Sequence, residues 1–264
     1  MDLAYTPLWN IYGNYRTGKN RRLVFALLFL IYLNLISGPR NISTALMYSF
    51  AQRSDTEVID EPFYACYLSR TDADHPGKED VLHAQSSDEE VVIQELFQKK
   101  GKPVMFIKNM AHHIEELKGD FLSKCLNIFL TRNPKQLIAS YAQVIENPVM
   151  RDIGIEYEYQ LFQKIQHQNP VVLDSGLLLQ NPESVLRQLC EKAGIKFERE
   201  MLRWTSGPKP YDGVWAPHWY ANVHRSTGFE KQATSDRPLP NHLEPLYEAA
   251  SVYYEKLLQF ALKP

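Results

Sequence analysis

LNLISGPRNISTALMYSFAQR, residues 33–53, is the stretch that decides the fold. It opens as a short apolar run, Leu33 to Ser37, ended by Gly38-Pro39. From Ser43 to Arg53 the apolar residues recur at helical spacing, with Ser43 or Asn41 placed as an N-cap. A strand that turns tightly into a helix is the repeating unit of a parallel sheet.

The same alternation continues along the chain. Further strands are expected at Thr56–Asp60, Pro103–Lys108, Cys125–Thr131 and Val171–Asp174. The Cys125 run is almost continuously apolar, as strands buried on both faces are. Ser87-Asp-Glu-Glu90 reads as a capping box opening a helix to Lys100, with Gly101 as its stop. Pro134 stands at the first position of a helix to about Ile145, another covers about 154–167, and Pro182 opens one through Ala193. A last amphipathic helix covers about 243–262. Residues 61–87 read as a long irregular loop, and 203–241, rich in Pro, Gly, Trp and Tyr, show no period. The expectation is an α/β domain over residues 32–264, a three-layer parallel sheet with helices on both faces. Residues 1–31 are expected outside its core.

Composition narrows the function. The 264 residues carry 29 basic and 31 acidic side chains, a balance that argues against a nucleic-acid partner but leaves room for a local anion site. Cys66, Cys125 and Cys190 are scattered and odd in number, so neither a disulfide framework nor a zinc site is expected, and a reducing, cytoplasmic setting is. The apolar run Leu23–Leu33 has 11 residues, against about 20 for a bilayer span, so no membrane anchor is expected.

In parallel α/β sheets ligands bind beyond the carboxyl ends of the strands. After the first strand, Ser37 to Thr44 places Gly, Pro, Arg40 and the Ser43 and Thr44 hydroxyls at a helix N-terminus, where backbone N–H groups and the helix dipole favour phosphate. The glycines and lysine of the nucleotide motif GxxxxGK[ST] are missing. After the fourth strand comes Arg132-Asn-Pro-Lys135, with Ser140 inside the following helix. Each segment alone reads equally well as an ordinary strand–helix turn.

Together they resemble the cytosolic-type sulfotransferases. Pro39-Arg-Asn-Ile-Ser-Thr44 is similar to that family's phosphosulfate loop, Pro-Lys-Ser-Gly-Thr-Thr, and Arg132-Asn-Pro-Lys135…Ser140-Tyr141 to its second signature. Val171 to Phe197 also looks like the family. Asp60-Glu-Pro62 and Lys108…His112-His113 look closer to a bacterial and plant branch of sulfotransferase-like proteins, which in plants includes domains linked to aminotransferase-like sequences. The resemblance covers about residues 33–260 and implies a P-loop NTPase-like sulfotransferase fold.

It also implies sulfuryl transfer from 3′-phosphoadenosine 5′-phosphosulfate (PAPS), without a metal, to a hydroxyl or amine of a small-molecule acceptor. Pro39, Arg40, Asn41, Ile42, Ser43 and Thr44 would wrap the 5′-phosphosulfate, and Arg132 and Ser140 would bind the 3′-phosphate. Arg40 replaces the family lysine; it neutralises charge but cannot donate its proton as a general acid. The resemblance places Arg225, Ser226, Thr227 and Gly228 in a C-terminal segment over the adenosine. A base is needed for the acceptor's proton, and the family's histidine after Lys-Thr is absent from Lys108-Asn109-Met110. His112 and Glu61 rank together as candidates and His113 follows, while Lys108 is placed to neutralise the sulfuryl group. The loop 61–87 is where acceptor choice would lie. Two other readings stand beside this one: a nucleotide-binding module without a working base, and a P-loop small-molecule kinase.

Overall fold

Ile31–Ser37 forms the central strand, β1, of a five-stranded sheet in the computed structural model, which describes residues 30–99, 101–117, 120–143, 145–230 and 237–264. The other strands are β2 (Thr56–Asp60), β3 (Val104–Met110), β4 (Leu126–Thr131) and β5 (Val171–Asp174). All pairings are parallel, in the order β2-β3-β1-β4-β5. β1 starts two residues earlier than the sequence suggests. β3 runs two residues further, through Asn109 and Met110, because its ladder with β1 continues to Ser37↔Met110. The extension and most of the apolar run fall in residues 1–29, outside the described residues. Among the described residues no helix is long and apolar enough to cross a membrane.

The helices are α1 (Ser43–Ala51), α2 (Tyr64–Arg70), α3 (Lys78–Ala84), α4 (Glu89–Gln98), α5 (Pro134–Tyr141), α6 (Met150–Ile153), α7 (Ile155–Ile165), α8 (Ser175–Gln180), α9 (Pro182–Lys192), α10 (Ala216–Trp219), α11 (Ala221–Arg225) and α12 (Glu244–Leu258). Side chains alternate across each strand. Leu33 and Leu35 of β1 therefore pack with Leu46, Met47 and Phe50 of α1 and Leu186 of α9, whereas Ile36 packs with Val92 of α4, Ile138 of α5, Phe162 of α7 and Leu257 of α12. This gives the expected three layers. The region read as an irregular loop, 61–87, instead holds α2 and α3, and the period-less 203–241 holds α10 and α11. These helices are short, and their contacts with one another supply what propensity does not. Tyr64, Leu68, Val81, Trp215 and Tyr220 form a third apolar cluster.

Three asparagines cross the centre of the sheet. Asn109 Nδ2 donates to Asn34 Oδ1 at 2.9 Å, and Asn34 Nδ2 donates to Asn127 Oδ1 at 2.9 Å. Buried amides bonded to one another across the strands fix the register of β3, β1 and β4, since a slip would strand these polar groups. That register sets which side chains meet at the carboxyl edge. β1 leads left to β2 and β4 leads right to β5, so the crevice between β1 and β4 is the topological switch point.

Candidate active site

The loop after β1 is strained and tightly held. A Cβ on Gly38 would collide with the carbonyl oxygen of Ile153, so only glycine allows this approach. Arg40 and Ile42 sit at φ 60° and 59°. That is the left-handed region, costly for a β-branched residue and characteristic of functional loops. Hydrogen bonds hold it there. Asn41 Nδ2 donates to Leu130 O at 2.9 Å, Ser175 Oγ lies 3.0 Å from Asn41 O, and Arg132 donates to Arg40 O at 2.7 Å. Neither Ser43 nor Asn41 caps α1. Ile42 is the N-cap and no side chain caps the helix, so its first-turn N–H groups and positive dipole end remain for a ligand.

The Arg-Asn-Pro-Lys spacing has a local cause. Asn133 caps α5, accepting from Lys135 N at 3.0 Å, and Pro134 takes the first helical position. Arg132 is thereby fixed at the carboxyl end of β4, and Ser140 lies in the second turn. Arg40 Nε donates to Ser140 Oγ at 3.2 Å across the switch point. Pro39, Arg40, Asn41, Ser43, Thr44, Arg132 and Ser140 are thus brought together. Arg237, absent from the sequence reading, joins them. Burial and then Arg237 lower Arg40; burial, Arg40 and Arg237 lower Arg132, with Asp174 opposing. Guanidiniums that remain protonated at this spacing repel, and an anion between them relieves the repulsion. No sequence signal marks Arg237, which lies within the period-less stretch 203–241.

A second cluster lies beyond β2 and β3. Asp60 and Lys108 are paired in register, and both are buried. Lys108 Nζ bonds Asp60 Oδ1 at 2.9 Å, Tyr220 Oη at 2.8 Å, and Glu61 Oε1. Lys108 is therefore a neutralised hub rather than an open cation. Its surroundings raise it: burial opposes the charge, but Asp60 and Glu61 outweigh burial. Burial, helped by Asp60 and opposed by Lys108, holds Glu61 above the usual carboxylate range. Glu61 itself has φ 40°, its N–H bound to Lys108 O at 2.7 Å and its carbonyl to Gln85 Nε2 at 3.1 Å.

The two histidines differ. His113 is buried between the rings of Tyr64 and Tyr67, with centroids at 4.3 and 4.8 Å, and its Nδ1 lies 3.5 Å from Glu61 Oε2. His112 meets Tyr67 edge-on at 5.0 Å. Burial pushes His112 down to about 3 and His113 well below its usual value, favouring the neutral imidazole in both. Next to this wall is a cavity of about 570 Å³ whose lining includes Tyr67, Thr71, His75, Glu116 and Arg151. The C-terminal candidates lie at the end of α11 and just after it. Arg225 is exposed and donates to Asn222 Oδ1 at 2.6 Å, Ser226 Oγ accepts from Trp204 Nε1 at 3.1 Å, Thr227 O accepts from Trp204 N, and Gly228 bridges to Arg203. Among the described residues, no group of three or more His, Cys, Asp or Glu has metal-binding geometry.

Glu158 of α7 is fully buried, and neither carboxyl oxygen has a well-formed hydrogen bond. Burial raises it well above 4.5, against the pull of the Gly38 backbone. Above 4.5 the unfolded chain ionises this group while the native state keeps the proton, so native stability falls by about 1.4 kcal/mol per pH unit until the folded value is reached. Glu158→Gln removes that slope. Denaturant melts at about pH 5 and about pH 8 should show the variant gaining on wild type as pH rises; parallel curves would refute a neutral Glu158.

The profile of a family described as "Sulfotransferase domain" matches residues 32–261. Branched-chain-amino-acid aminotransferase-like protein 1 of Arabidopsis thaliana is 36% identical over 222 residues, covering 82% of this chain. Its companion, protein 2, is 34% identical over the same length. The chain spans 40% of the length of each of these relatives. Among solved structures, the sulfotransferase domain of the Synechococcus PCC 7002 olefin synthase aligns with TM-score 0.55 at 14% identity, over 86% of this chain and 95% of that one. A sulfotransferase from Alicyclobacillus acidocaldarius aligns with TM-score 0.52 at 12% identity, over 87% and 96%. These two share the fold.

Proposed function

The chain belongs to the sulfotransferase domain family, and on that premise we propose that it transfers a sulfuryl group from PAPS to a hydroxyl or amine of a small-molecule acceptor. The observation that carries the reading is the meeting of Arg40, Arg132 and Ser140 across the β1/β4 crevice, beside the uncapped N-terminus of α1. The buried oxygens Asn41 Oδ1 and Ser37 Oγ have no partner there, which suits a polar ligand. Residues 39–44 would hold the 5′-phosphosulfate, and Arg132, Ser140 and Arg237 the 3′-phosphate. Bound PAPS supplies a sulfuryl group already activated by its link to phosphate. Arg40 and the α1 N–H groups stabilise the negative charge that gathers on the departing phosphate oxygen. The acceptor's proton goes to His113 Nε2; stacking between Tyr64 and Tyr67 holds the ring, and the Glu61 carboxylate 3.5 Å from Nδ1 favours the imidazolium that forms. His112 lacks such a carboxylate partner, which favours His113 over it.

The test follows radiolabelled sulfate from PAPS into a panel of small alcohols, phenols and amines without added metal. Labelled acceptor and released 3′-phosphoadenosine 5′-phosphate (PAP) should form in equal amounts. PAP binding without transfer to any member would favour a binding module. Phosphate transfer from ATP with Mg²⁺ would favour a kinase.

A further inference from the structure

Tyr220 lies in a segment that carries no proton-transfer candidate, yet its hydroxyl is at the centre of the buried cluster. We infer that Tyr220 is a positioning residue for the proton-accepting pair, acting through Lys108 and Glu61. The inference rests on the transfer reading above.

The hydroxyl donates to Asp60 Oδ2 at 2.7 Å and accepts from Lys108 Nζ at 2.8 Å and from Trp215 Nε1 at 3.1 Å; Glu61 Oε1 is 3.4 Å away. An ammonium has three N–H donors. Those of Lys108 go to Asp60 Oδ1, Glu61 Oε1 and Tyr220. None is left for Glu61 Oε2, which lies 3.5 Å from His113 Nδ1, outside hydrogen-bond geometry but near enough for its charge to favour a proton there. An imidazole whose Nδ1–H faces a carboxylate offers its lone pair at Nε2. Take away the phenolic oxygen and the third donor of Lys108 is unsatisfied in a dry site. Glu61 already bonds this ammonium through Oε1, so a turn that brings Oε2 to it as well would withdraw that oxygen from His113 Nδ1 and release the tautomer.

The segment that carries Tyr220 is anchored for this task. Gly213 N donates to Asp60 Oδ2 at 3.1 Å, and Asp212 accepts from Tyr48 Oη at 2.6 Å and meets His224 Nε2 at 3.0 Å. The placement of Tyr220 is thus tied to both β2 and α1. The groups facing Glu61 are Asp60 and Lys108 from the sheet, Tyr64 from α2, His113 beyond β3, and Tyr220 itself. Those facing His113 are Glu61, Lys108, His112 and His75, with the two tyrosine rings on its faces.

Tyr220→Phe keeps the ring and removes one oxygen. The account expects kcat to fall on the order of 10²-fold, the cost of misplacing a reacting group by about 1 Å, with the acceptor KM nearly unchanged and the PAP-induced melting shift retained. The hydroxyl favours the ionised form of Glu61, so the acid limb of the pH–rate profile should move to higher pH. Nitrogen NMR of His113 gives a readout independent of turnover: an Nδ1–H tautomer in wild type and a mixture in the variant. Full activity with an unmoved pH profile and an unchanged tautomer would overturn the inference. If the wild-type chain transfers no sulfuryl group, the functional reading fails while the tautomer still decides whether Tyr220 positions the pair. A general loss of kcat, KM and PAP binding together would mark Tyr220 as merely structural and also overturn it.

Discussion

Arg132→Ala is expected to abolish the rise in melting temperature that PAP gives the wild-type chain. At about 100 times its dissociation constant a ligand adds about 2.7 kcal/mol of stability. For a domain of this size that is roughly 5–10 °C. Arg132 is nine-tenths buried at the carboxyl end of β4, so its charge is little screened. A hydrogen bond from such a group to phosphate contributes about 1.5–3 kcal/mol. Arg132 also donates to Arg40 O, the left-handed residue at the centre of the loop, so alanine loosens the 5′-phosphate cradle as well. The two losses together lower PAP affinity by on the order of 10²-fold or more. Arg132→Lys, which keeps the charge but loses the fork, should fall between. A wild-type shift that survives in Arg132→Ala would place the nucleotide elsewhere.

His113→Gln should cost more in turnover than any other single change at the second cluster, about 10²- to 10⁴-fold in kcat, the usual contribution of a positioned base. Glu61→Gln should lose part of this, because the amide cannot favour a protonated imidazole. Both variants should keep the PAP-induced shift, since neither residue belongs to the β1/β4 crevice. Activity should also fall on the acid side as Glu61 takes up a proton, at a pH above the ordinary carboxylate range because burial raises it. The comparison variant is His112→Gln. If it is inactive while His113→Gln is not, the assignment of the base is reversed.

Much of the fold could be read from local chemistry. β2 and β5 have the bounds read from the sequence, and Asn133-Pro134 announces the start of α5 through a side-chain cap and a proline at the first position. Where the cap is silent the reading fails. The N-cap residues of α2 and α3 are Phe63 and Gly77, neither supplying a side-chain cap, and each helix has seven residues. Their existence depends on packing against Trp215 and Tyr220, which are more than a hundred residues away in sequence. Ile42 takes the place of the expected polar cap of α1 for a related reason: the Asn41 side chain donates to Leu130 O and Ser175 holds its carbonyl, so Asn41 is committed to distant partners and does not cap the helix.

The candidate site divides the same way. Arg40 follows β1, and Arg132 and Ser140 follow β4; the resemblance of their two segments to the sulfotransferase signatures implied that they meet, and the strand order sets β1 beside β4. Lys108 read as a free cation because Asp60 becomes its neighbour only through the β2/β3 register. The choice between His112 and His113 turns on a 3.5 Å approach to Glu61 that spacing cannot supply. Arg237 and Tyr220 sit in stretches whose composition carries no period, and only tertiary contact shows what they face.

The most direct measurement is a crystal structure of the chain with PAP. The 5′-phosphate should lie against the backbone of residues 39–44 at the start of α1, and the 3′-phosphate between Arg132, Ser140 and Arg237. PAP bound away from the β1/β4 crevice, or its two phosphates in the reverse order, would contradict the account.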